Sequence, residues 1–268
     1  MTLQSINIFG RHIITSMPNA RPENVKEAVA AIASIYGIEV VGFLKLGENT
    51  RIPADEMGLL KGVKWEDGEV DLSKVHDPLD IMPSARTMII LGKRLLDDRA
   101  DIYYRTSDDY AASVEMMLLE IASSRIIDAL KKSGFEAGEY TSYYLKAWAA
   151  LAGLGWIGKS RMFVSKVHGP RLRLRGILTD ADIGELHAVL PDESCGECTE
   201  CIKACPVGAI SKKEVDRKKC GACPVNHRKL TEIARAYCTA CTSACPVGSR
   251  NRGHAHAPQA VSRQRITP

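Results

Sequence analysis

All nine cysteines of the 268-residue sequence lie in one stretch, residues 195–245. Its first part reads Cys195-Gly-Glu-Cys198-Thr-Glu-Cys201-Ile-Lys-Ala-Cys205-Pro206, which is a C-x₂-C-x₂-C-x₃-C-P run. Thiolates at this spacing are ligands of a [4Fe-4S] cluster, and the fourth cysteine of such a run ligates the neighbouring cluster in proteins that hold two. The run therefore predicts electron-transfer chemistry and a second cluster.

The second cluster has to be assembled from the remaining cysteines. Cys238, Cys241 and Cys245 repeat the last three positions of the pattern, while Arg235 stands at the first position. One ligand must come from elsewhere, and either Cys220 or Cys223 can supply it. With the fourth ligands exchanged between the motifs, we assign two ligand sets and leave Cys223 over: Cys195, Cys198, Cys201 and Cys245 for cluster I, and Cys205, Cys220, Cys238 and Cys241 for cluster II.

Two other uses of cysteine compete with this interpretation. Four cysteines can hold a structural zinc ion, and many cysteines can form disulfides in an oxidising compartment. Zinc sites usually consist of two C-x₂-C pairs, whereas this sequence carries the cluster run nearly twice. The spacing favours iron-sulfur clusters. Because their thiols must stay reduced, we expect a cytoplasmic protein.

Length and composition set the outer limits of the fold. With 268 residues, 45% of them hydrophobic, the chain can form one substantial core and a small satellite domain. The sequence predicts no signal peptide and no span of about 18 apolar residues, so we expect no membrane association. The net charge of +4 conceals an asymmetry, because residues 211–268 carry 12 Lys and Arg against 3 Asp and Glu. Such a basic region could receive an acidic electron donor or a nucleic acid, or be a solvated tail.

Hydrophobic periodicity predicts the elements that must position these cysteines. We expect helices at residues 22–36, 108–132 and 143–152, and strands at 38–46 and at 87–91, the latter ended by Gly92. Residues 162–166 and 172–179 are expected to form a β-hairpin around the turn His168-Gly169-Pro170. The predicted class is α+β, with an α/β cofactor and substrate domain at residues 1–190, a ferredoxin-like two-cluster domain at 191–248 and a polar tail at 249–268.

A glycine-rich stretch precedes the cysteines. Gly153-Leu-Gly-Trp-Ile-Gly-Lys-Ser160 satisfies the G-x₄-G-K-S pattern of a phosphate-binding P-loop. A P-loop follows a strand and opens a helix, whereas here an apolar helix precedes and a strand-like segment follows. The context argues against nucleotide hydrolysis. The glycines could instead let backbone amides approach a large cofactor closely.

Together these motifs resemble the epoxyqueuosine reductase family of cobalamin-dependent iron-sulfur enzymes, which is related to the reductive dehalogenases. The resemblance rests on Ala152-Gly-Leu-Gly-Trp-Ile-Gly-Lys159, on Ile177-Leu-Thr-Asp180 and on the cysteine region with Cys220 as separated ligand. It implies a nitroreductase-like α/β core that holds base-off cobalamin. One cluster would lie near the corrin, and the other would relay electrons from a low-potential donor of the ferredoxin or flavodoxin type.

The resemblance also implies site residues. The family's proton-donating aspartate lies in an Arg-Asp-Tyr-His stretch, and the similar stretch here is Asp108-Asp109-Tyr110-Ala111. Asp109 is therefore the candidate acid, with Tyr110 beside it. The candidate cofactor-binding residues are those of the glycine stretch: Gly153, Gly155, Trp156, Gly158 and Lys159.

Two functions follow as alternatives. The first is an oxidoreductase that passes electrons through two clusters to cobalamin in its own core for a reductive reaction on an unassigned, small-molecule substrate. Dehalogenation, with a tyrosine such as Tyr103 or Tyr104 as proton donor, is a variant of it. Family members that act on tRNA carry a further helical repeat domain after the clusters, so tRNA is the less favoured substrate. The second is an electron-transfer or corrinoid-activating protein without its own cobalamin.

Overall fold

The computed structural model describes residues 4–8, 11–16, 22–47, 63–64, 77–96, 101–105, 107, 111–141, 145–185, 194–226 and 228–248. Asp109 and Tyr110, the candidate acid and its neighbour, lie outside these residues. The described part is a mixed helix and sheet structure. Its helices are α1 (Pro22–Ile35), α2 (Pro78–Ile81), α3 (Val114–Lys132), α4 (Leu145–Leu151), α5 (Glu200–Ala204), α6 (Arg217–Gly221) and α7 (Ala240–Ser243). Its strands are β1 (Gln4–Ile8), β2 (Arg11–Ser16), β3 (Val40–Lys45), β4 (Val63–Lys64), β5 (Thr87–Arg94), β6 (Asp101–Arg105), β7 (Ala111–Ala112), β8 (Ala137–Tyr140), β9 (Gly155–Ile157), β10 (Phe163–Ser165), β11 (Leu172–Thr179), β12 (Val215–Asp216), β13 (Arg228–Lys229) and β14 (Ala234–Tyr237).

A four-stranded antiparallel sheet forms the centre, in the order β3-β5-β11-β8. Alternate side chains of a strand point to opposite faces, and β5 uses both. Ile89 and Leu91 pack with α1 and α3, whereas Met88 and Ile90 pack with α4. The sheet is therefore buried on both sides, which explains why β5 is apolar at four successive positions, Met88 to Leu91, rather than alternating.

The predicted helices are present, with one altered start. α1 and α4 match their predicted positions closely, but α3 begins at Val114 rather than at residue 108. Its N-cap is Ser113, whose hydroxyl accepts a hydrogen bond from the Met116 N–H at 3.3 Å. A Ser at this position satisfies one of the free N–H groups of the first turn. The short strand β7 occupies the residues just before it.

Two strand predictions were wrong. Gly92 does not end β5, which continues to Arg94. A Cβ at Gly92 would lie 2.9 Å from the Val40 Cβ on β3, so the glycine permits a close approach of neighbouring strands. Nor do the strands around His168-Gly169-Pro170 pair with each other. β10 pairs with β9 of the glycine stretch, and β11 lies between β5 and β8.

The cysteine region is joined to the rest of the chain by strand pairing. β14 pairs antiparallel with β6, with Ala236 opposite Ile102, and β12 pairs in parallel with β4. These pairs cross the domain boundary predicted near residue 191, which stays a prediction. No helix within the described ranges is long and apolar enough to cross a membrane.

Candidate metal centre

The first group of thiols combines the loop before α5 with the segment after α7. Burial raises the pKa of the Cys201 thiol, and the neighbouring Cys195, Cys198 and Cys245 raise it further. Burial likewise raises the pKa of Cys245, with contributions from Cys195 and Cys198. Four thiols from two segments thus lie close enough to act on one another electrostatically. They are the four assigned to cluster I.

The second group assembles around Cys241. Burial raises the pKa of this thiol to about 12, and the neighbouring Cys220, Cys238, Cys201 and Cys205 add to the effect in that order, so Cys201 of the first group is also near it. Burial also raises the pKa of Cys220. The charge of Arg217 lowers this pKa, and the neighbouring Cys205 thiol raises it further. The structure therefore brings together the four thiols assigned to cluster II.

The remaining cysteine lies with this second group. Cys223 is buried, with 3% of its surface exposed, and its side chain hydrogen-bonds that of Cys238. Asn226 holds the segment in place, because its side chain donates to the Cys220 carbonyl at 2.5 Å and accepts from the Cys238 N–H at 2.8 Å. Cys220 and Cys223 are therefore both near the second group, and the choice of ligand between them stays a prediction.

Backbone N–H groups point at several of these sulfurs. The Ala209 N–H donates to the Cys205 Sγ at 3.2 Å. Backbone hydrogen bonds from Ala240 to Cys238 and from Val247 to Cys245 counteract the rise in the pKa of those thiols. Hydrogen bonds of this kind favour the thiolate, which is the form that binds metal.

Positive charge lies beside the first group. Arg171 is buried, with 1% of its surface exposed, and it opposes the rise in the pKa of Cys245. The turn before it contacts the chain just beyond that cysteine, because a Cβ at Gly169 would lie 2.1 Å from the Val247 carbonyl oxygen. A buried cation of this kind offsets the negative charge that thiolates bring to a low-dielectric site.

These donor sets fit iron-sulfur clusters in composition and in their origin from two segments. Within the described ranges, no group of three or more Cys, His, Asp or Glu side chains is arranged around one ion. A single zinc ion would need its sulfur ligands about 2.3 Å from a common centre. A cubane binds each thiolate at a separate iron, so its ligands stand farther apart.

Lys159 of the glycine stretch lies against the first group. Its ammonium group donates to the Gly196 and Cys198 carbonyl oxygens, at 2.9 Å for the latter. A Cβ at Gly158 would lie 3.4 Å from the Cys195 Sγ. The β9–β10 hairpin therefore supports the loop that carries the first cysteines.

The other glycines of this stretch also have packing roles. Gly153 follows α4 with a φ of +69°, and its N–H bonds the Ala150 carbonyl at 2.9 Å. A Cβ at Gly155 would lie 2.0 Å from the Val164 carbonyl oxygen on β10. Trp156 is half-buried on β9, and its indole Nε1 has no hydrogen-bond partner among the described residues. The assignment of this stretch to cofactor binding stays a prediction.

Three charged or phenolic side chains lie near the second group. Sequence reasoning placed neither Lys146 nor Arg173 there, and it named Tyr103 only as a possible proton donor. Burial, Arg217 and Arg173 lower the pKa of Lys146 to about 8, against the effect of Cys241. Burial raises the pKa of Tyr103, whose ring lies 5.0 Å from the Arg173 guanidinium. Lys146 could have been noticed as the one charged residue of α4, an otherwise apolar helix. Arg173 gives no such signal, because it alternates with apolar residues as a solvent-facing residue would.

A mixed helix and sheet core with two groups of cysteines is thus the class that the geometry defines. No family model matches the chain. Among curated proteins, epoxyqueuosine reductase of Synechococcus sp. (strain RCC307) is 47% identical over 77 residues, which cover 28% of this chain and 23% of that protein. Epoxyqueuosine reductase of Bacillus cereus is 26% identical over 222 residues, which cover 74% of this chain and 56% of that protein. The matched regions therefore span less than two thirds of these relatives.

Solved structures agree at the level of the fold. A crystal structure of epoxyqueuosine reductase with an epoxyqueuosine-modified tRNA stem loop has a TM-score of 0.58 at 19% identity, over 88% of this chain and 68% of that one. A reductive dehalogenase has a TM-score of 0.52 at 16% identity, over 85% of this chain and 32% of that one. The predicted resemblance is confirmed, since the curated homologues are named epoxyqueuosine reductase and both protein types are structural neighbours.

Proposed function

We propose that the chain is an iron-sulfur oxidoreductase of the epoxyqueuosine reductase type, which passes electrons through two [4Fe-4S] clusters to a cobalamin for a reductive reaction. The observation that carries the proposal is the partition of the thiols. Cys245 acts with the first run of cysteines and Cys205 with the later ones, as in proteins whose two clusters exchange their fourth ligands. Cys201 of the first group also acts on Cys241, so the two groups lie next to each other. When bound, such clusters supply low-potential one-electron transfer.

The chain's own residues would prepare these sites. The eight ligands are those assigned above. Cys220 is preferred over Cys223 because, after burial, it has the largest effect on Cys241, although Cys223 has the larger effect on Cys238. Arg171 would favour the more negative, reduced state of cluster I, since net charge and hydrogen bonds to the sulfurs set cluster potentials. Lys159 would fix the cluster I loop through its two carbonyl acceptors.

The fit to cobalamin is a separate matter. A glycine cradle for a cofactor leaves room where a Cβ would stand, but at Gly155 and Gly158 that room is filled by Val164 and Cys195. The described residues of the glycine stretch therefore do not themselves form a cradle for the corrin. We propose cobalamin because of the nitroreductase-like core that the sequence resemblance implies, with Asp109 as the proposed acid and Tyr110 beside it.

The experiment is anaerobic reconstitution with iron and sulfide, followed by addition of cobalamin. We expect about eight iron atoms per chain and a shift of the cobalamin absorption spectrum on binding, with reduction to cob(I)alamin when a low-potential donor is present. Zinc without iron would refute the cluster assignment. An epoxyqueuosine-modified tRNA stem loop and small halogenated aromatics serve as first substrates, because the structural neighbours include an epoxyqueuosine reductase with such a stem loop and reductive dehalogenases.

A second function is favoured by the packing of the glycine stretch. Because its Lys159 and Gly158 support the cysteine loop, the chain could serve as an electron carrier that activates a corrinoid on another protein. Full iron loading with an unchanged cobalamin spectrum would select this function over the first.

A further inference from the structure

The second cysteine group approaches the surface at α6. This helix of five residues carries Cys220 in its last turn, and Gly221 and Ala222 directly after it are exposed. Small exposed residues leave little side-chain bulk between Cys220 and a molecule docked on this surface. If electrons enter from a partner, α6 is therefore a short route to cluster II.

The sequence around α6 is strongly basic. Residues 212–229 contain seven Lys and Arg against two Asp and Glu, a net charge of +5. Lys212, Lys213, Lys218 and Lys219 are all exposed. One of them, Lys219, lies 4.0 Å from the Asp216 carboxylate, an exposed ion pair that offsets little of the excess. We call the exposed lysines of residues 212–219 the basic face.

Apolar side chains are exposed next to it. Val225 is 41% exposed two residues after Cys223, and Asn226 ties this segment to both Cys220 and Cys238. Leu230 and Ile233 are also exposed, on and beside the β13–β14 hairpin. Apolar residues bordered by charged ones are typical of protein docking surfaces, where the apolar part is desolvated and the charged rim steers the encounter.

We propose that the basic face and Val225 form the docking site of a small acidic one-electron carrier protein, which reduces cluster II directly. This inference rests on the proposed function. In the step, the carrier's reduced centre loses one electron and cluster II gains it, with no bond made and no proton moved. A protein fits this site better than a nucleic acid does. Exposed apolar side chains lie beside the positive charge and close to a cluster ligand, whereas a nucleic acid would be bound mainly through its phosphates.

The test is stopped-flow reduction of the reconstituted protein by a reduced acidic [2Fe-2S] ferredoxin at low ionic strength. Lys218→Glu/Lys219→Glu reverses two charges on the basic face. Lys131→Glu/Lys132→Glu is the matched control, because it makes the same change at two adjacent exposed lysines at the end of α3. We expect the first variant to lower the second-order rate about tenfold or more, as for loss of electrostatic steering, and the control to change it less than about twofold. The difference between the rates of the two variants should disappear at high salt, because salt screens the charges.

Reduction by titanium(III) citrate distinguishes failure of the proposed function from failure of the docking site alone. If the clusters do not load, or if titanium(III) does not reduce them, the proposed function fails. If they load and titanium(III) reduces them, but both double variants react equally fast with the ferredoxin, the docking site alone is refuted. Loss of tRNA stem-loop binding in Lys218→Glu/Lys219→Glu with an unchanged ferredoxin rate would assign the face to RNA and overturn the proposal. Should that variant fail to load iron, Lys212→Glu/Lys213→Glu is measured in its place, with the same outcomes.

Discussion

Alanine at position 169 should disturb cluster I selectively. Gly169 has a φ of +65°, a region that costs an L-residue about 1–2 kcal/mol. The new Cβ would also lie 2.1 Å from the Val247 carbonyl oxygen, where ordinary contact begins at 3.4 Å. Relieving this overlap requires the turn and the segment after Cys245 to separate by about 1 Å, and overpacking of this kind costs about 1–3 kcal/mol more. We expect a total loss of about 2–5 kcal/mol in the free energy of unfolding.

The position of the overlap makes the prediction specific. Val247 lies two residues after Cys245, the proposed fourth ligand of cluster I. Displacing it should release one cluster, so that the iron content of Gly169→Ala falls from about eight atoms to about four, while cluster II keeps its own ligands. Iron analysis and electron paramagnetic resonance of the reduced protein report the loss, and urea unfolding reports the stability.

Gly134→Ala is the matched control. Gly134 also has a positive φ, +88°, but a Cβ there meets nothing within 4 Å. It should therefore cost only the backbone term of about 1–2 kcal/mol and leave the iron content unchanged. If Gly169→Ala is no less stable than this control and retains both clusters, the contact between the turn and the Cys245 segment does not position that ligand.

Five further substitutions test other contacts. Tyr140→Phe removes the buried hydroxyl that accepts a hydrogen bond from the Trp148 indole N–H at 3.0 Å. The free energy of unfolding in urea should fall by about 1–3 kcal/mol, and an unchanged midpoint would show that another acceptor takes over. Lys159→Met should speed the loss of iron to a chelator, because it removes the two hydrogen bonds from the ammonium group to carbonyl oxygens of the cluster I loop. Arg171→Met should lower the midpoint potential of cluster I by removing a buried positive charge; a rise would contradict the assigned role. Cys220→Ser should halve the iron content while Cys223→Ser should not, and the reverse result would exchange their roles.

Local patterns and strand pairing differ in what the sequence reveals. The cysteine spacing predicts two groups of thiols, because ligand exchange follows from the covalent spacing of the motif, and the assignment of each ligand stays a prediction. The turn residues Gly169-Pro170 suggested a hairpin, but turn chemistry does not reveal which strands then pair. β10 pairs with β9 because Gly155 has no side chain where the Val164 carbonyl passes, a contact between backbones that composition does not show.

The buried charges were the other omission. Arg171 lies at the beginning of a segment in which arginines alternate with apolar residues, which predicts a solvent-facing row, yet it is among the most buried side chains described. It acts on the Cys245 thiol, which is distant in sequence. Gly92 was predicted to end β5. Its missing side chain instead lets β5 pack closely against Val40 of β3, and the strand continues to Arg94.

The pairing of β6 with β14 has a consequence for synthesis of the chain. β6 leaves the ribosome long before the segment that contains β14, and until then only β7 borders it in this sheet. An open strand edge is a template for aggregation, and such distant pairings form slowly. A nascent or truncated chain that stops before Tyr237 would therefore expose this edge, so a premature stop in the cysteine segment should yield insoluble protein rather than a stable cluster-free core.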